Sequence, residues 1–359
     1  MAQSKTDAIS TRIREWVQSR VRAMSPAYFS VVMATGILSV GSELNGWKAS
    51  SSFFLAIALI FYISLLILYG WRWTQFASHM RTDWVHPERS FGFLTLVAAT
   101  DVLAIRLNGT HEFWLMSVLT VFGLLSWMAL LYLQFAYLIF ENERPLAAIV
   151  NGSWLLAPVA TQSLAIISAL VAAHIGDERE WLLVASFAFW ALGILFYLLF
   201  IVFILYRFFF SGVRREDLAP SYWINMGAMA IATVAGTHLA SPELGSPFLH
   251  LIHSFVVALT VMMWAWGSFW IPLLLIMGGW KYRSWHSLFR YETGLWSVIF
   301  PLGMYAVSLS FISHFPGLSF LSLFAPVFLL IAIMAWCITL LLWVIATAQA
   351  LKGLYQESA

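Results

Sequence analysis

Asp101 is the residue of this 359-residue sequence whose position most suggests chemistry, because it lies within an apolar segment at residues 90–106. If that segment spans a membrane, a carboxylate within it is costly and is by default a candidate functional group. Arg106 follows on the same segment about 140° around the helix, so an intrahelical pair is not expected. Three hypotheses remain: Asp101 packs between helices and pairs elsewhere, stays protonated through burial, or carries a proton together with a substrate.

Hydroxyl and amide side chains recur in similar apolar segments and could replace part of the hydration shell of an ion. They are Thr35, Ser39, Thr95, Thr100, Thr161, Gln162, Ser163, Asn225, Ser297 and Ser308. Because Ser and Thr in helices also bond to their own backbone or to a neighbour, we expect about half of these side chains to line an aqueous path. No Lys or Arg lies mid-segment beside them, so any binding would be weak.

Histidines and the single cysteine give little sign of a cofactor. His238, His250 and His253 could hold zinc or a haem, but histidines that meet headgroups and water at a membrane surface are the favoured interpretation. Cys337 stands alone, which excludes a disulfide framework or a cysteine-ligated metal within one chain. HExxH, GxSxG and Walker A motifs are absent from the sequence. We predict no metal, no cofactor and no enzymatic activity.

The composition places these residues in a membrane protein. Apolar residues make up 61% of the chain and charged residues 10%, with a mean hydropathy of +0.83, whereas a soluble domain carries roughly 25% charged residues. The formal net charge of +2 leaves no basic field for nucleic acid. We therefore exclude nucleic acid as a partner and expect the lipid bilayer to be the solvent.

Ten apolar segments are long enough to cross hydrocarbon, which takes about 17 to 25 residues. They lie near 26–44, 52–72, 90–106, 113–139, 147–172, 181–208, 222–240, 247–279, 293–314 and 320–350. The interpretation divides the chain into an N-terminal segment at 1–24, a ten-helix domain at 25–350 and a tail at 351–359. The N-terminal segment has apolar residues at helical spacing and predicts an amphipathic helix on the inner leaflet, with a disordered basic tail as the alternative. It shows no secretory signal, so we expect it in the mature protein.

The orientation follows from the positive charges. Sixteen of the 19 Lys and Arg residues fall on one side of the ten segments, and only Lys48, Arg106 and Arg179 fall on the other. Since the more positive side is cytoplasmic, both termini are expected in the cytoplasm. We predict a multi-pass protein of a bacterial-type inner membrane.

Two kinds of segment alternate along the chain. Gly, Ala, Ser and Thr occupy 44 of 103 positions in the odd-numbered segments and 33 of 140 in the even-numbered ones. Small residues let helices approach closely and expose hydroxyl and backbone groups to an interior. We therefore expect the five odd helices inside and the five bulkier, more aromatic even helices in an outer ring.

The odd segments also share a weak internal repeat. An aromatic residue precedes or begins a run of small residues in each of them, at Phe29, Phe91, Trp154, Trp223 and Trp296. Helix breakers are concentrated in the same segments, at Pro158, Pro301, Gly36, Gly227 and Gly303. A proline inside a helix removes a backbone bond and bends the helix, and cavity water can satisfy the freed groups. We predict five helical hairpins around a water-lined interior, and we expect the aromatic side chains of Phe29, Phe91, Trp154 and Trp223 to line it.

Five stretches, in order along the chain, carry a resemblance. They are Ser25–Ser39 (SPAYFSVVMATGILS), His86–Phe91 (HPERSF), Asn151–Leu156 (NGSWLL), Pro220–Gly227 (PSYWINMG) and Trp296–Gly303 (WSVIFPLG). Together they resemble the tellurite-resistance/dicarboxylate transporter family over nearly all of residues 25–350. This family includes plant slow-type anion channels, fungal malate permeases and sulfite efflux pumps, and bacterial tellurite-resistance protein A.

The resemblance implies an all-α protein of ten transmembrane helices, arranged as five hairpins with quasi-fivefold symmetry around a central pore, and a homotrimer. It also implies a gate. The family's ninth helix has a phenylalanine that directly precedes a proline and follows a tryptophan by four residues, and the ring of this phenylalanine plugs the pore. The matching residues here are Trp296, Phe300 and Pro301. An apolar ring at a constriction opposes a hydrated ion, so Phe300 is the expected gate; a core aromatic that does not move is the alternative.

Three functions are compatible with the sequence. The favoured hypothesis is passive permeation of small anions or dicarboxylates. The second is a proton-coupled carrier of malate-like, sulfite-like or tellurite-type anions, although the inverted repeats of common carriers are not evident. The third, which depends on the histidines alone, is a haem- or quinone-binding membrane oxidoreductase.

Overall fold

The computed structural model describes residues 2–108, 112–176, 179–283 and 291–356, and all regular structure within these ranges is helical. The α-helices, in chain order, are α1 Ala2–Arg22, α2 Ser30–Leu44, α3 Lys48–Gln75, α4 Ala77–Trp84, α5 Pro87–Ser90, α6 Thr95–Arg106, α7 Phe113–Phe140, α8 Leu146–Ile149, α9 Leu156–Ala172, α10 Glu180–Phe210, α11 Ile224–Leu239, α12 Pro247–Lys281, α13 Trp296–Ile312 and α14 Ala325–Gln356. The all-α fold class is therefore confirmed.

Each of the ten predicted segments contains one long helix. Within the described ranges, eight helices are long and apolar enough to cross a membrane, and α6 and α11 are the two that are not among them. The α-helical part of α6 has only 12 residues, about 18 Å at 1.5 Å per residue. Shorter helices of this kind are compatible with a buried position, where neighbouring helices rather than lipid surround them.

Helices α2, α6, α9, α11 and α13, called the inner helices below, contact one another in cyclic order, with α13 returning to α2. Each inner helix also packs against the outer helix that follows it in the chain: α3, α7, α10, α12 and α14, respectively. Inner and outer helices differ in burial. In the most apolar 18-residue stretch of Gly152–Ala172, 94% is buried, whereas in the most apolar 18-residue stretch of Phe113–Phe140 only 22% is buried. The small-residue helices are thus inside and the aromatic helices outside.

A short 3₁₀ turn precedes each inner helix. The turns are Pro26–Phe29, Phe91–Leu94, Gly152–Leu155, Pro220–Trp223 and Thr293–Leu295. Ser25 and Asn151 cap two of them, their side chains accepting bonds from the backbone N–H groups of Ala27 and Ser153. The aromatic repeat of the sequence falls in these turns or, for Trp296, on the residue directly after one. The repeat therefore marks the start of each inner helix.

The glycines predicted to loosen the inner helices have a different role. Each lies in a regular helix with no positive φ, and each lies where an adjacent inner helix comes close. A Cβ would meet a neighbouring side chain at 2.7 to 2.9 Å for the pairs Gly36 with Val102, Gly227 with Pro301 and Gly303 with Ile37. These glycines permit close helix contact rather than backbone freedom.

The two prolines also differ from each other. Pro301 lies inside α13, where its ring faces the carbonyl of Ser297 and removes one helical bond. Pro158 is the third residue of α9, where a backbone N–H has no α-helical partner in any case. The expectation of a mid-helix kink at Pro158 is wrong, because the preceding residues form the 3₁₀ turn instead of α-helix.

The N-terminal segment forms α1, which contacts α3 and α14. At its end the Arg72 Nη2 of α3 donates to the carbonyl of Arg22 at 3.1 Å, while the same guanidinium pairs with buried Asp83 at 2.6 Å. Arg89 approaches the other oxygen of Asp83 at 2.7 Å. This network ties the amphipathic helix to the hairpin ends.

Candidate functional site

A central cavity of about 160 Å³ opens among the C-terminal ends of all five inner helices. Its lining residues are Ile37, Val40, Glu43, Leu44, Val102, Ile105, Arg106, Asn108, Ile166, Leu170, Ile231, Val234, His238, Met304, Val307 and Phe311. Since the C-terminal ends of the five helices meet at one cavity, the inner helices run in the same direction. The cavity therefore marks one end of the axis that they surround.

The lining changes character along the axis. Its deeper part is aliphatic, and the polar side chains Glu43, Arg106, Asn108 and His238 are near the ends of their helices. A narrow aliphatic passage holds water poorly and can prevent ion passage by dewetting. The mouth is thus the wet part of this cavity, and its polar groups are the ones that an ion would meet first.

Phe300 lies at the inner end of this face of α13. Met304, Val307 and Phe311 line the cavity at helical spacing, and Phe300 precedes Met304 by four residues, which is about one turn deeper on the same face. Its ring is 2% exposed. Gly227 of α11 lets the neighbouring Pro301 approach closely, so the helices converge at this depth.

Arg106 is held at the mouth by a pair of serines. Ser39 of α2 and Ser51 of α3 donate their hydroxyl hydrogens to each other's carbonyl oxygens, at 2.8 and 2.9 Å. Their oxygens then accept bonds from Arg106, at 3.1 Å from Nε to Ser39 and 2.9 Å from Nη2 to Ser51. Nη2 also pairs with Glu43 at 3.1 Å. The guanidinium is consequently oriented by side chains from two helices, α2 and α3.

The polar residues predicted to line a pore lie elsewhere, because none of them is among the lining of this cavity. Several form hydrogen bonds that link an outer helix to the inner helix of the next hairpin. These links are Tyr62 with Thr100 at 2.7 Å, Trp127 with Thr161 at 2.9 Å, Trp190 with the Ala232 carbonyl at 2.9 Å, Ser268 with Tyr305 at 2.7 Å and Trp336 with Thr35 at 3.0 Å. For Thr35, Thr100 and Thr161 the expectation is corrected: their hydroxyls bind outer helices.

The remaining polar candidates are not among the residues that line the cavity either. Gln162 donates to the Trp190 carbonyl at 3.0 Å, Asn225 accepts from Tyr197 at 2.5 Å, and Thr95 donates to the Gly92 carbonyl at 2.7 Å. Ser39 acts through Arg106. Ser297 is 8% exposed in the first turn of α13 and, like the others, does not line the cavity.

Asp101 is fully buried between α6, α7 and α9. Its Oδ2 accepts a hydrogen bond from Ser163 at 2.5 Å, and its Oδ1 occupies the space that a side chain at Gly123 would fill. Within the described residues no cation pairs with it. The structure thus places Asp101 in helix packing, with a hydroxyl rather than a cation as its partner, and away from the cavity lining.

The aromatic candidates lie between inner and outer helices. Phe29 contacts Tyr62 and Tyr69 of α3, with ring centroids 5.8 and 5.3 Å away. Phe91 and Trp154 contact each other, with centroids 4.9 Å apart, and both meet an outer-helix phenylalanine. Trp223 lies beside Tyr222 at a pocket near the opposite helix ends. The expectation that these four rings line the pore is corrected for Phe29, Phe91 and Trp154, because they pack against outer-helix rings. Trp223 lines the pocket at the opposite helix ends and not the central cavity.

The histidines do not come together. His250 and His253 are exposed on α12, whereas His238 lines the cavity beside Phe311. No group of three or more His, Cys, Asp or Glu side chains in the described residues is placed to hold a metal ion.

Two functional candidates escaped the sequence interpretation. Arg106 was considered only as a neighbour of Asp101 and as a charge on the sparsely charged side, and Glu43 was not considered, but both line the cavity. The signal was available in part, since Arg106 is one of three cations on the sparsely charged side. What could not be read from the sequence is that two serines from another hairpin orient it.

Comparison of the sequence with known proteins gives a family match and several similar proteins. Residues 23–344 match the model of the SLAC1 family, described as voltage-dependent anion channel. Two proteins of Methanocaldococcus jannaschii, both described as uncharacterized transporters, are similar to this chain. One is 26% identical over 299 residues, 81% of this chain and 85% of the relative; the other is 27% identical over 295 residues, 80% and 83%. An uncharacterized membrane protein of Mycobacterium tuberculosis is 38% identical over 113 residues, 31% of this chain and 57% of its own length.

The family match spans most of the chain and confirms the resemblance found in the five sequence stretches. The protein is thus a polytopic membrane protein, and it belongs to the SLAC1 family of anion channels and transporters.

Proposed function

We propose that the protein lets small inorganic anions cross the membrane passively, along the axis between the five inner helices, and that the ring of Phe300 closes this path. The observation that carries the proposal is the placement of Phe300 one turn below a cavity that all five inner helices line. An aromatic ring at the narrow end of an aliphatic passage opposes hydrated ions.

The setting of this path is part of the same proposal. Both termini are in the cytoplasm of a bacterial-type inner membrane, so the cavity opens to the outside. The charge asymmetry of the sequence supports this orientation. Three subunits, each with its own path, follow from the resemblance and not from any contact described above. Dicarboxylates and tellurite-type anions are the alternative permeants.

Substitution of the gate tests the proposal. Phe300→Ala in purified protein reconstituted in liposomes is expected to raise chloride efflux at least about tenfold, since removing about 1.4 kcal/mol from a barrier has this effect. Phe311→Ala is the matched control, because it removes the same ring from the same helix at the wide end of the cavity. We expect little change for this control.

Two results would contradict the gate. One is an unchanged chloride efflux in Phe300→Ala protein whose thermal unfolding and gel-filtration elution match those of the wild type. The other is an equal rise in both variants, which would show that general loosening of α13, and not a ring at one depth, opens the path.

A further inference from the structure

Arg106 is the one fixed positive charge among the described residues that line the central cavity. Its side chain is 15% exposed, whereas that of its partner Glu43 is 44% exposed. The carboxylate therefore lies on the solvent side of the pair. An ion that arrives from the mouth meets Glu43 first and the guanidinium behind it.

The guanidinium does not depend on Glu43 for its position. Ser39 and Ser51 have both committed their hydrogens to backbone carbonyls, so their oxygens can only accept from Arg106. Three bonds, from Nε to both serines and from Nη2 to Ser51, remain if Glu43 moves away. The cation stays oriented at the mouth, and among the described residues no hydrogen bond involves its Nη1.

The surroundings of Arg106 make a cation necessary for anion capture there. Five inner helices end at this cavity, and each helix C-terminus carries roughly half a negative charge. The Glu43 carboxylate adds to that repulsion. A small anion would be repelled from the mouth unless Arg106 offsets this field, and the ion pair with Glu43 weakens that offset.

We propose that Arg106 is the outer binding site for small monovalent inorganic anions such as chloride and nitrate, and that Glu43 competes with the anion for the guanidinium. The inference rests on the proposed function. When an anion is bound, Glu43 turns to solvent; when the site is empty, the ion pair re-forms and closes it. Glu43 thus sets the anion concentration at which the path fills.

The test uses the full-length protein with three substitutions. Glu43→Gln removes the competitor, Arg106→Gln removes the site, and Arg179→Gln is the matched control, because Arg179 is a cation on the same side that does not line the cavity. Chloride binding is measured in detergent from the broadening of the chloride NMR signal by the protein. Chloride and nitrate flux is measured in liposomes.

We expect Glu43→Gln to tighten chloride binding about five- to tenfold and Arg106→Gln to weaken it about tenfold, as for a charge-assisted contact. Arg179→Gln is expected to equal the wild type. Arg106→Lys, which keeps the charge but not the planar fork, is expected to retain binding within about threefold.

Equal chloride binding in Glu43→Gln and wild type would overturn the competition. Equal binding in Arg106→Gln and Arg179→Gln would overturn the site. If Arg106→Gln does not fold, the Glu43→Gln result decides alone, since a purely structural role for the pair predicts a loss of thermal stability with no gain in binding.

The binding measurement also separates this inference from the proposed permeation. If no variant shows flux, Phe300→Ala included, the proposed permeation is refuted. The line-broadening measurement still tests anion binding at Arg106 in that case. Normal flux together with chloride binding that ignores Arg106 would refute the site and leave the permeation standing.

Discussion

The carboxylate of Asp101 is costly to bury in a membrane protein, and it lies outside the proposed anion path. The carboxylate is fully buried, with Ser163 on one oxygen and the open flank of Gly123 beside the other. A negative charge on the axis would repel anions, but the carboxylate is directed toward α7 and α9, and Asp101 is not among the residues that line the cavity. The burial fits a packing role, and the lack of a cation partner among the described residues fits the hypothesis that the group stays protonated.

The corresponding prediction concerns Asp101→Asn. Asparagine has nearly the same shape, and its carbonyl oxygen can accept the bond from Ser163. We expect anion flux and its dependence on pH to stay as in the wild type, with a change in the free energy of unfolding of less than about 1 kcal/mol.

The measurement is chloride efflux from liposomes between pH 5 and 8, with Ser163→Ala as a control that removes the bond and keeps the carboxylate. A flattened pH profile in Asp101→Asn alone would contradict the packing role and support the proton-coupled carrier. A loss of flux in both variants would instead indicate damage to the helix contact.

The residue types predicted that these polar side chains are buried, but not which neighbouring helix each side chain faces. Thr35, Thr161 and Gln162 were recognised as polar groups inside a membrane protein, and they are buried. Which way each side chain points was not readable, because an inner helix is surrounded on all sides and has no polar or apolar face to fix its rotation. Their bonds to Trp336, Trp127 and the Trp190 carbonyl decide the direction.

At the scale of elements, the hydrogen bonds from each outer helix to the next hairpin matter most. Each of the five hairpins has at least one such link, and three of the donors are tryptophans whose indole N–H reaches an inner helix. Lipid gives no hydrophobic drive for helix association, so packing and such bonds must hold neighbouring hairpins together. These hydrogen bonds are therefore expected to stabilise the contacts between neighbouring hairpins.

Trp190 of α10 gives a direct test of these links. Its buried indole donates to the Ala232 carbonyl of α11. Trp190→Phe removes the bond and leaves a gap, so we expect a loss of about 1 to 3 kcal/mol in the free energy of unfolding. Trp181→Phe is the control, because Trp181 is 65% exposed on the same helix.

Thermal unfolding in detergent compares the two variants. We expect a clearly lower Tm for Trp190→Phe and a Tm near the wild-type value for Trp181→Phe. Equal values would mean that the bond between α10 and α11 does not stabilise the arrangement.

Helices were predictable from hydropathy because runs such as 181–208 have to be helical in lipid. Their first turns were less predictable. The apolar segments placed the starts near residues 26, 147 and 222, but the 3₁₀ geometry of the first turns depends on contacts between turns of neighbouring hairpins. That dependence explains why Pro158 was misjudged: the position of a proline in a helix is only defined once the first turn is known.

Across the whole molecule, the five inner helices are parallel, so their dipoles add along the axis. Their N-terminal ends meet at the side where sixteen of the 19 cations lie, and their C-terminal ends meet at the cavity. The helix dipoles and the distribution of cations both favour anions at the N-terminal ends of the inner helices and disfavour them at the cavity. The sequence predicted the inside and outside helices from composition, but the placement of this cavity required the packed helices.

The direction of the molecule in the membrane is the last prediction, since the outward cavity depends on it. Exposed Asn108 lies at the cavity mouth, and exposed Ser211 lies past the end of α10, on the opposite side. The single native cysteine, Cys337, is exposed on an outer helix, so it is first replaced by serine. In that background, we expect Asn108→Cys to react in intact cells with a thiol reagent that cannot cross membranes, and Ser211→Cys to react only after the membrane is opened. The cation count requires this outcome, because the more positive side stays in the cytoplasm. Labelling of Ser211→Cys in intact cells would reverse the orientation, put Arg106 at the cytoplasmic mouth, and make it a site for anions leaving the cell.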